Sequence, residues 1–281
     1  MNIQYKALTL AVAAAFGLGH GTLAMAQVSN DTIKIGFITD MSGVYADVDG
    51  PAGAEAIKMA IADMGGMVNG KKIEFISADH QNKADIASSK AREWIDQQGV
   101  DMIIGGTNSA TNLAMAKVAA EKKKPFIVVG AGTARLTNEE CNPYTIHYSY
   151  DTVALAKGTG GAVSRQGGKS WYFITADYAF GTSLENDTTR VVKASGGNVL
   201  GSSKHPVGAS DFSSFILQAQ ASKAQILGLA NAGDDLVNAI KSANEFGLKK
   251  NMKIAALLMY LSDVHALGLQ QTQGMLLTDS W

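Results

Sequence analysis

The chain has 281 residues, of which 46% are hydrophobic and 17% are charged, close to the composition of an ordinary soluble globular protein. Its 24 basic and 25 acidic residues leave a net charge of −1, so no strong positive field indicates a nucleic acid as partner. The one cysteine, Cys141, excludes a disulfide within these residues and any site built on several cysteines.

The first 26 residues have the pattern of a secretory signal peptide. Lys6 supplies a positive charge, residues 7–18 form a short apolar stretch, and residues 24–26 (AMA) are a typical cleavage site. Glycines interrupt the apolar stretch, which is too short for a membrane-spanning helix of about 20 apolar residues. We therefore expect residues 1–26 to be removed, leaving a soluble exported protein that begins at Gln27.

From residue 32 onward, strand-like and helix-like segments alternate. The predicted strands are apolar or β-branched runs at 32–39, 72–78, 101–105, 125–130 and 144–149, and then at 170–175, 197–202, 224–230, 252–258 and 274–278. Helical periodicity covers 52–64, 84–97, 111–123, 152–166, 181–195, 212–222 and 234–246. Ten strands fit two sheets of about five better than one sheet, and the alternation favours an α/β protein with parallel sheets.

Two details refine this prediction. The first alternating set ends near 147–152, which is a natural boundary between two domains. The helix predicted over 52–64 places Ala56, Met59, Ala60 and Met64 on one stripe, of the kind that usually faces a core.

Signatures of catalysis and of cofactor binding are weak. There is no G-x-S-x-G turn and no Walker phosphate loop, and the glycines at 130 and 132 are followed by Arg135 where a dinucleotide fingerprint needs Gly or Ala. Asp79 and His80 are adjacent on a strand and therefore point to opposite faces. The histidines are scattered without metal-ligand spacing, at positions 80, 147, 205 and 265. We expect no enzyme, no metal and no cofactor.

Small polar residues follow two neighbouring predicted strands. The segment 103–112 (IIGGTNSATN) leads from a strand into a helix, with Asn108 and Ser109 in the loop. Free backbone N–H groups at the helix N-terminus, with the Ser109 or Thr111 hydroxyl, would form an anion site, although ordinary N-capping gives the same pattern. The next strand ends in 129–134 (VGAGTA). Since ligands of open α/β sheets bind at the carboxyl ends of strands, two such loops favour a ligand site.

Aromatic residues occupy further loops at predicted strand ends. Tyr45 lies between the first strand and its helix, and Tyr178 and Phe180 follow the strand at 170–175. Side chains in these places can wall an apolar pocket. For Phe180, plain packing against its own helix is equally consistent with the sequence.

With these loops, the sequence resembles the periplasmic solute-binding proteins of the branched-chain amino acid (leucine/isoleucine/valine) ABC-transporter family. The resemblance covers 31–281 and is carried by IKIGFITDMSGVYAD, GAEAIKMAIADMGG, NGKKIEF, IIGGTNSATN, PFIVVGAGTARLT, ITADYAFG and HPVGASDFSSFILQAQASKAQ. It implies two lobes of type I topology, each a parallel sheet flanked by helices. They would close on a ligand, which an inner-membrane ABC permease then receives.

The resemblance also implies a domain division. Residues 27–148 would form the first lobe, and residues 149–281 the second lobe with the start of a return crossing into the first. In the family the chain then adds further strands and helices to the first lobe. We therefore expect the C-terminal part of the fold to be missing from this sequence and the first lobe to be incomplete without it.

Site residues follow by position in the resembling motifs. Ser109 is expected to hold the ligand carboxylate, with the loop positions Ala131 and Thr133 beside it. Phe180 is expected to be the aromatic wall of the second lobe, where amino-acid binders often carry tyrosine.

Two departures from the family pattern bear on the ligand. Leu258 or Met259 stands where amino-acid binders place the acidic partner of the ligand ammonium, and Ala232 stands where a second tyrosine is usual. An ammonium buried without a partner is costly, so the site favours a small carboxylate without an α-amino group, such as an aromatic acid. A branched-chain amino acid stays open as ligand, because an acidic residue at 177, 234 or 263 could supply the missing charge. A ligand-sensing regulator on the same fold and an exported hydrolase also stay open as functions.

Overall fold

The computed structural model describes residues 31–280, and within that range the chain forms two β-sheets, each flanked by helices. The two sheets divide the chain between residues 147 and 152. The signal peptide expected at 1–26 lies outside the described residues. Between residues 31 and 280, no helix combines the length and the hydrophobicity needed to cross a bilayer.

The first lobe is built on a six-stranded sheet. Its strands are β1 (Thr32–Thr39), β2 (Met67–Val68), β3 (Lys71–Asp79), β4 (Met102–Gly105), β5 (Phe126–Val128) and β6 (Thr145–His147). They lie in the order β2-β3-β1-β4-β5-β6, and every pair is parallel except the β2–β3 hairpin. Its helices are α1 (Ala46–Asp49), α2 (Pro51–Asp63), α3 (Ala84–Gln97) and α4 (Ser109–Lys122), with a 3₁₀ turn at Ala134–Thr137.

The second lobe is built on a five-stranded sheet, parallel throughout. Its strands are β7 (Ser170–Ala176), β8 (Asn198–His205), β9 (Ile226–Ala230), β10 (Lys253–Ala256) and β11 (Leu276–Leu277), in the order β11-β10-β9-β7-β8. Its helices are α5 (Thr152–Leu155), α6 (Gly161–Arg165), α7 (Ala179–Ala194), α8 (Ser213–Ala221), α9 (Gly233–Glu245), α10 (Leu261–Leu267) and α11 (Leu269–Thr272), with a 3₁₀ turn at Leu248–Lys250.

The predicted alternation is present, with some additions. Each predicted strand and helix has a counterpart whose ends differ by a few residues, because long apolar runs and helical periodicity are strong local signals. The short strand β2 and the short helices α1, α10 and α11 were not predicted. The helix predicted over 152–166 is also interrupted, by a π-helical turn at Ala156–Gly160. There the N–H of Thr159 donates to Oγ1 of Thr278, a contact between residues 119 positions apart.

The two faces of the first sheet differ in burial. On one face, α3 and α4 cover Ile38, Ile103 and Phe126, which are fully buried. On the other face, residues aligned across the sheet by its register, such as Ile35 and Phe75, stay half-exposed. Within the described residues, the helix cover of this second face is therefore less complete than that of the first.

Helix α2 lies over that second face without filling it. Gly53 rests against the ring of Phe37, and Ala54 is the one buried residue of the helix. The stripe expected to face a core is exposed instead, with Met59 at 61% and Met64 at 65% of their full accessible surface. Ile146 on the edge strand β6 is likewise 55% exposed.

The second sheet is buried on both faces. Tyr172, Ile174 and Leu227 belong to the apolar cluster on one face, and Trp171 and Phe173 belong to the cluster on the other. Every residue of β9 is buried. This lobe matches the expectation for a parallel sheet with helices on both sides.

Candidate ligand-binding site

A narrow cavity lies between the lobes, next to the carboxyl ends of strands from both sheets. Its walls are Tyr45, Thr107, Asn108, Ser109, Gly130, Ala131, Gly132, Tyr150, Tyr178, Phe180, Ala232 and Leu258. The free space is about 10 Å³, near the minimum that admits one water molecule. Of the eight site residues predicted from the sequence, all except Thr133 line this cavity, although they come from distant parts of the chain.

The N-terminus of α4 forms one end of the cavity. The helix begins at Ser109, two residues earlier than expected, and Asn108 is its N-cap. Oδ1 of Asn108 accepts hydrogen bonds from the N–H groups of Ala110 (2.9 Å) and Thr111 (3.1 Å). The Thr111 hydroxyl donates to the carbonyl of Asn108. Of the two interpretations of this pattern, N-capping therefore applies to these two N–H groups, and the Thr111 hydroxyl is also used within the cap.

Ser109 and Thr133 meet at this end of the cavity. The buried Oγ of Ser109 accepts a hydrogen bond of 3.1 Å from the backbone N–H of Thr133. The Thr133 hydroxyl lies 2.9 Å from the hydroxyl of Ser183 on α7 of the second lobe. Thr133 thus flanks the cavity and connects Ser109 to the opposite lobe. With its oxygen accepting from Thr133, the Ser109 hydroxyl keeps its own proton for a further acceptor, and a carboxylate accepts such charge-assisted hydrogen bonds.

A network that the sequence did not reveal positions the first-lobe side of the cavity. The carboxylate of Asp40 accepts hydrogen bonds from the N–H groups of Gly43 and Tyr45 and from the side-chain amide of Asn82. Asn82 in turn accepts one of 3.0 Å from the amide of Asn108, which is held at a φ of 98°. Asp40 therefore orients both Tyr45 and Asn108. Its position directly after β1 was visible in the sequence, but its partners come from distant segments.

Tyrosines from both lobes close the cavity. The hydroxyls of Tyr45 and Tyr178 lie 2.8 Å apart, and the Tyr178 ring lies 6.2 Å from the ring of Phe180. Burial raises the pKa of both tyrosines, so their hydroxyls stay protonated and can donate hydrogen bonds. Tyr45 is a first-lobe residue, yet it packs in the apolar cluster of the second lobe together with Phe180.

A second tyrosine pair lies where the chain passes between the lobes. Tyr150, in the connection between β6 and α5, donates a hydrogen bond of 2.8 Å to the carbonyl of Gly130. Its hydroxyl also contacts that of Tyr260, at the start of α10. Neither residue was predicted as a site residue, because a single tyrosine in a connecting segment belongs to no recognisable sequence motif.

The positions compared with the ammonium site of amino-acid binders are apolar. Ala232 and Leu258 line the cavity, whereas Met259 packs in a core cluster of the second lobe. None of the three acidic residues considered as replacements lines it: Asp177 pairs with Lys204 at the surface, Asp234 is exposed, and Asp263 caps α10. Among the described residues that line the cavity, no carboxylate faces the ligand space.

The residues tested for catalysis make structural contacts. His80 is buried and its Nε2 lies 3.1 Å from the carbonyl of Thr107. The neighbouring Asp79 binds the hydroxyl of Ser42 and the N–H groups of Met41 and Gln81. Within residues 31–280, no group of three His, Cys, Asp or Glu side chains is arranged to hold a metal ion.

Comparisons with known proteins agree on one family. Residues 32–281 match a family described as periplasmic binding protein. A solved periplasmic binding protein from Burkholderia mallei is 70% identical over 89% of this chain and 67% of its own, with a TM-score of 0.88. A solute binding protein of an ABC transporter from Rhodopseudomonas palustris BisB5, solved in complex with 3,4-dihydroxy benzoic acid, is 30% identical over 80% of this chain and 62% of its own, with a TM-score of 0.72.

A curated relative carries an amino-acid name. The Leu/Ile/Val-binding protein homolog 6 of Brucella melitensis biotype 1 is 25% identical over 233 residues, which is 82% of this chain and 59% of the relative. The chain thus spans about three fifths of the length of that relative.

Proposed function

The chain belongs to the periplasmic binding protein family, and on this premise we propose that it captures a small carboxylate between its two lobes and delivers it to an inner-membrane ABC permease. The family consists of substrate-binding proteins of transporters, not of enzymes, and implies a periplasmic location. Export by the leader at residues 1–26 is part of the proposal.

The meeting of the buried Ser109 and Thr133 beside the cavity between the lobes carries this proposal. Because Ser109 Oγ accepts a hydrogen bond from Thr133, the hydroxyl proton of Ser109 remains to be donated to a ligand oxygen. The N-terminus of α4, at which Ser109 stands, also favours negative charge. The rest of the cavity is walled by aromatic and aliphatic side chains, which suits an aromatic or branched acid.

Contacts between the lobes support capture by closure. Hydrogen bonds join Tyr45 to Tyr178 and Thr133 to Ser183, and the N–H of Asp234 donates to the carbonyl of Val44. Because the free space is near the size of one water molecule, an organic acid enters only when the lobes part. A ligand that then contacts both lobes stabilises the closed form and shifts the population toward it.

Calorimetry with benzoate tests the proposal. We expect Ser109→Ala to weaken binding by about 1–3 kcal/mol, as for the loss of a charge-assisted hydrogen bond. Ser183→Ala is the matched control, since it removes a hydroxyl that contacts Thr133 outside the cavity wall, and we expect a smaller loss. Unchanged affinity of Ser109→Ala would remove Ser109 from the site.

A branched-chain amino acid is the second candidate, favoured by the name of the Brucella relative. Because Leu258 and Ala232 offer no charge to an ammonium group, we expect des-amino acids to bind at least as well as the matching α-amino acids. A competition assay with leucine, phenylalanine and their des-amino analogues decides between the two. A tenfold advantage of an amino acid, about 1.4 kcal/mol, would favour the second candidate.

A further inference from the structure

A half-buried carboxyl group, with one oxygen shielded from solvent, lies behind the loops that carry the candidate carboxylate site. Asp49 is the last residue of α1, and its Oδ1 accepts a hydrogen bond of 2.7 Å from the hydroxyl of Thr39. Its Oδ2 is shielded from solvent and lies against Thr107, whose hydroxyl and backbone N–H act on the carboxyl. Such shielding from water disfavours the charged form of a carboxyl group.

Two glycines show how close this oxygen lies to the cavity. A methyl group added to Gly106 or to Gly130 would lie 2.6 Å or 2.7 Å from Oδ2 of Asp49, so that neither position has room for a side chain. Gly130 and Thr107, the residue after Gly106, both line the cavity. A single layer of loop backbone therefore separates Asp49 from the ligand space.

Acidic and phenolic groups act on Asp49 among the described residues. The titratable neighbours whose charges interact with it are Asp40, Tyr150 and Tyr260. Burial lowers the pKa of His80, which contacts the carbonyl of Thr107, and so favours its neutral form. Burial raises the pKa of Asp49, against the opposing influence of the Thr39 and Thr107 hydroxyls.

A ligand carboxylate at Ser109 would bring a second negative charge to the same loops. Ser109 follows Thr107 by two residues, and Thr133 follows Gly130 by three, so that the two anionic groups would lie on opposite sides of the same loops, with Ser109 and Thr133 buried. Like charges in such a region disfavour each other strongly, and a carboxyl responds by taking up a proton. An ammonium group on the ligand would cancel the second charge and remove the need for that proton.

We propose that Asp49 makes ligand capture proton-linked, so that a carboxylate without an amino group binds together with one proton, which passes from the solvent to Oδ2 of Asp49. This inference rests on the proposed function, and it makes Asp49 a determinant of specificity that acts through charge from behind the loop. Affinity for such an acid increases as the pH falls, whereas affinity for an α-amino acid does not.

Calorimetry in two buffers of different ionisation enthalpy measures the proton uptake. With benzoate between about pH 6 and 8, where the ligand itself stays ionised, wild-type protein is expected to take up as much as one proton per ligand. For each unit by which the pH is raised, the Kd of the wild type for benzoate is expected to increase by as much as tenfold, the limit for uptake of one full proton. Asp49→Asn keeps an acceptor for the Thr39 hydroxyl and is expected to bind benzoate without uptake and without pH dependence. Asp47→Asn is the matched control, because Asp47 is exposed on the same short helix.

The outcomes separate this inference from the proposed function. Benzoate binding without proton uptake in the wild type, or with equal uptake in Asp49→Asn, overturns the inference and leaves the function standing. α-Amino acid binding that is lost in Asp49→Asn also overturns it, because Asp49 would then pair with an ammonium. Benzoate binding by Asp49→Asn but not by the wild type overturns the inference, because the wild-type carboxyl then excludes the acid instead of taking up a proton. Failure of both proteins to bind any carboxylate overturns both the inference and the proposed function. The wild-type uptake decides even if the variant misfolds.

Discussion

The strands of the two sheets have similar amino-acid compositions, but the two sheets differ in how deeply their residues are buried. β1 and β3 of the first lobe and β7 and β9 of the second are similar runs of apolar and β-branched residues. Yet Phe173 is fully buried between helix layers, whereas Phe75 is half-exposed on a face that α2 covers only in part. A strand's composition therefore shows that it can be buried, and the neighbouring layers decide whether it is.

The difference matters because the candidate site needs both lobes. Ser109, Asn108 and Tyr45 come from the first lobe, and Phe180 and Leu258 come from the second. The geometry of a site is only as well defined as the elements that hold it. The predictions below test whether the first lobe is the weaker support.

Truncation of one phenylalanine in each sheet should give the largest contrast. We expect Phe173→Ala to lower the free energy of unfolding of the second lobe by about 3–5 kcal/mol, as for a large cavity in a closed core. Phe75→Ala should lower that of the first lobe by less than about 2 kcal/mol, since its ring already contacts solvent. Urea unfolding monitored by a probe in each lobe measures both values. Equal losses would mean that the open face of the first sheet is covered in solution.

The amide hydrogen-exchange rates of the two lobes should also differ, by a smaller free energy than the two truncations. We expect the amides of β7 and β9 to exchange at least about 30-fold more slowly than those of β1 and β3, about 2 kcal/mol in opening free energy. Fewer buried contacts hold the first sheet, so that it opens more often. Strong protection spread evenly over both lobes would contradict the comparison.

Acid should act on the lobes in opposite directions. In the second lobe, burial raises the pKa of Asp263 to about 6. The folded state then holds a proton that the unfolded state has lost between about pH 4 and 6, and its stability falls as the pH rises through that window. In the first lobe, partial burial of Asp79 is outweighed by hydrogen bonds from Ser42, Gln81 and Met41, which lower its pKa. Its contribution is present at neutral pH and is lost as the pH falls toward that lowered value.

Two substitutions isolate these carboxyl groups. Asp263→Asn should stabilise the protein relative to wild type by about 1–2 kcal/mol more at pH 7 than at pH 4, because the variant has no carboxyl group to ionise. Its amide oxygen can still accept the hydrogen bond from the N–H of Tyr260. Asp79→Asn should lower stability at pH 7 and have less effect at low pH. Unfolding curves at the two pH values give both differences, and parallel pH profiles of wild type and variants would refute the assignment.

The smallest effect on stability is expected on α2, together with a clear effect on association. Met59→Lys combined with Met64→Lys should change the free energy of unfolding by less than about 0.5 kcal/mol, since both side chains are mostly exposed. The same pair should reduce self-association, because exposed apolar patches promote aggregation. Leu217→Lys, on an exposed position of the second lobe, is the control and should change association less. Light scattering over a concentration series measures self-association. An equal decrease in the Met59/Met64 double variant and in Leu217→Lys would show that Met59 and Met64 do not drive association.

Local patterns determined much of this protein in advance. The apolar runs predicted the strands, the 3.6-residue periodicity predicted most helices, and the motifs at 103–112 and 129–134 identified the family that residues 32–281 match. The strand-end rule also brought the loops of Ser109 and Ala131 together, since the carboxyl ends of neighbouring parallel strands meet at one edge of the sheet.

Tertiary structure alone decided what those elements touch. The link from Asp40 through Asn82 to Asn108 and the close approach of Asp49 to Gly106 and Gly130 join segments that are far apart in the chain. Periodicity also cannot tell that the stripe on α2 faces solvent, because it reports which residues share a face and not what lies opposite. Burial, charge environment and hydrogen-bond partners are properties of the packed arrangement, and they exist only once distant parts of the chain have come together.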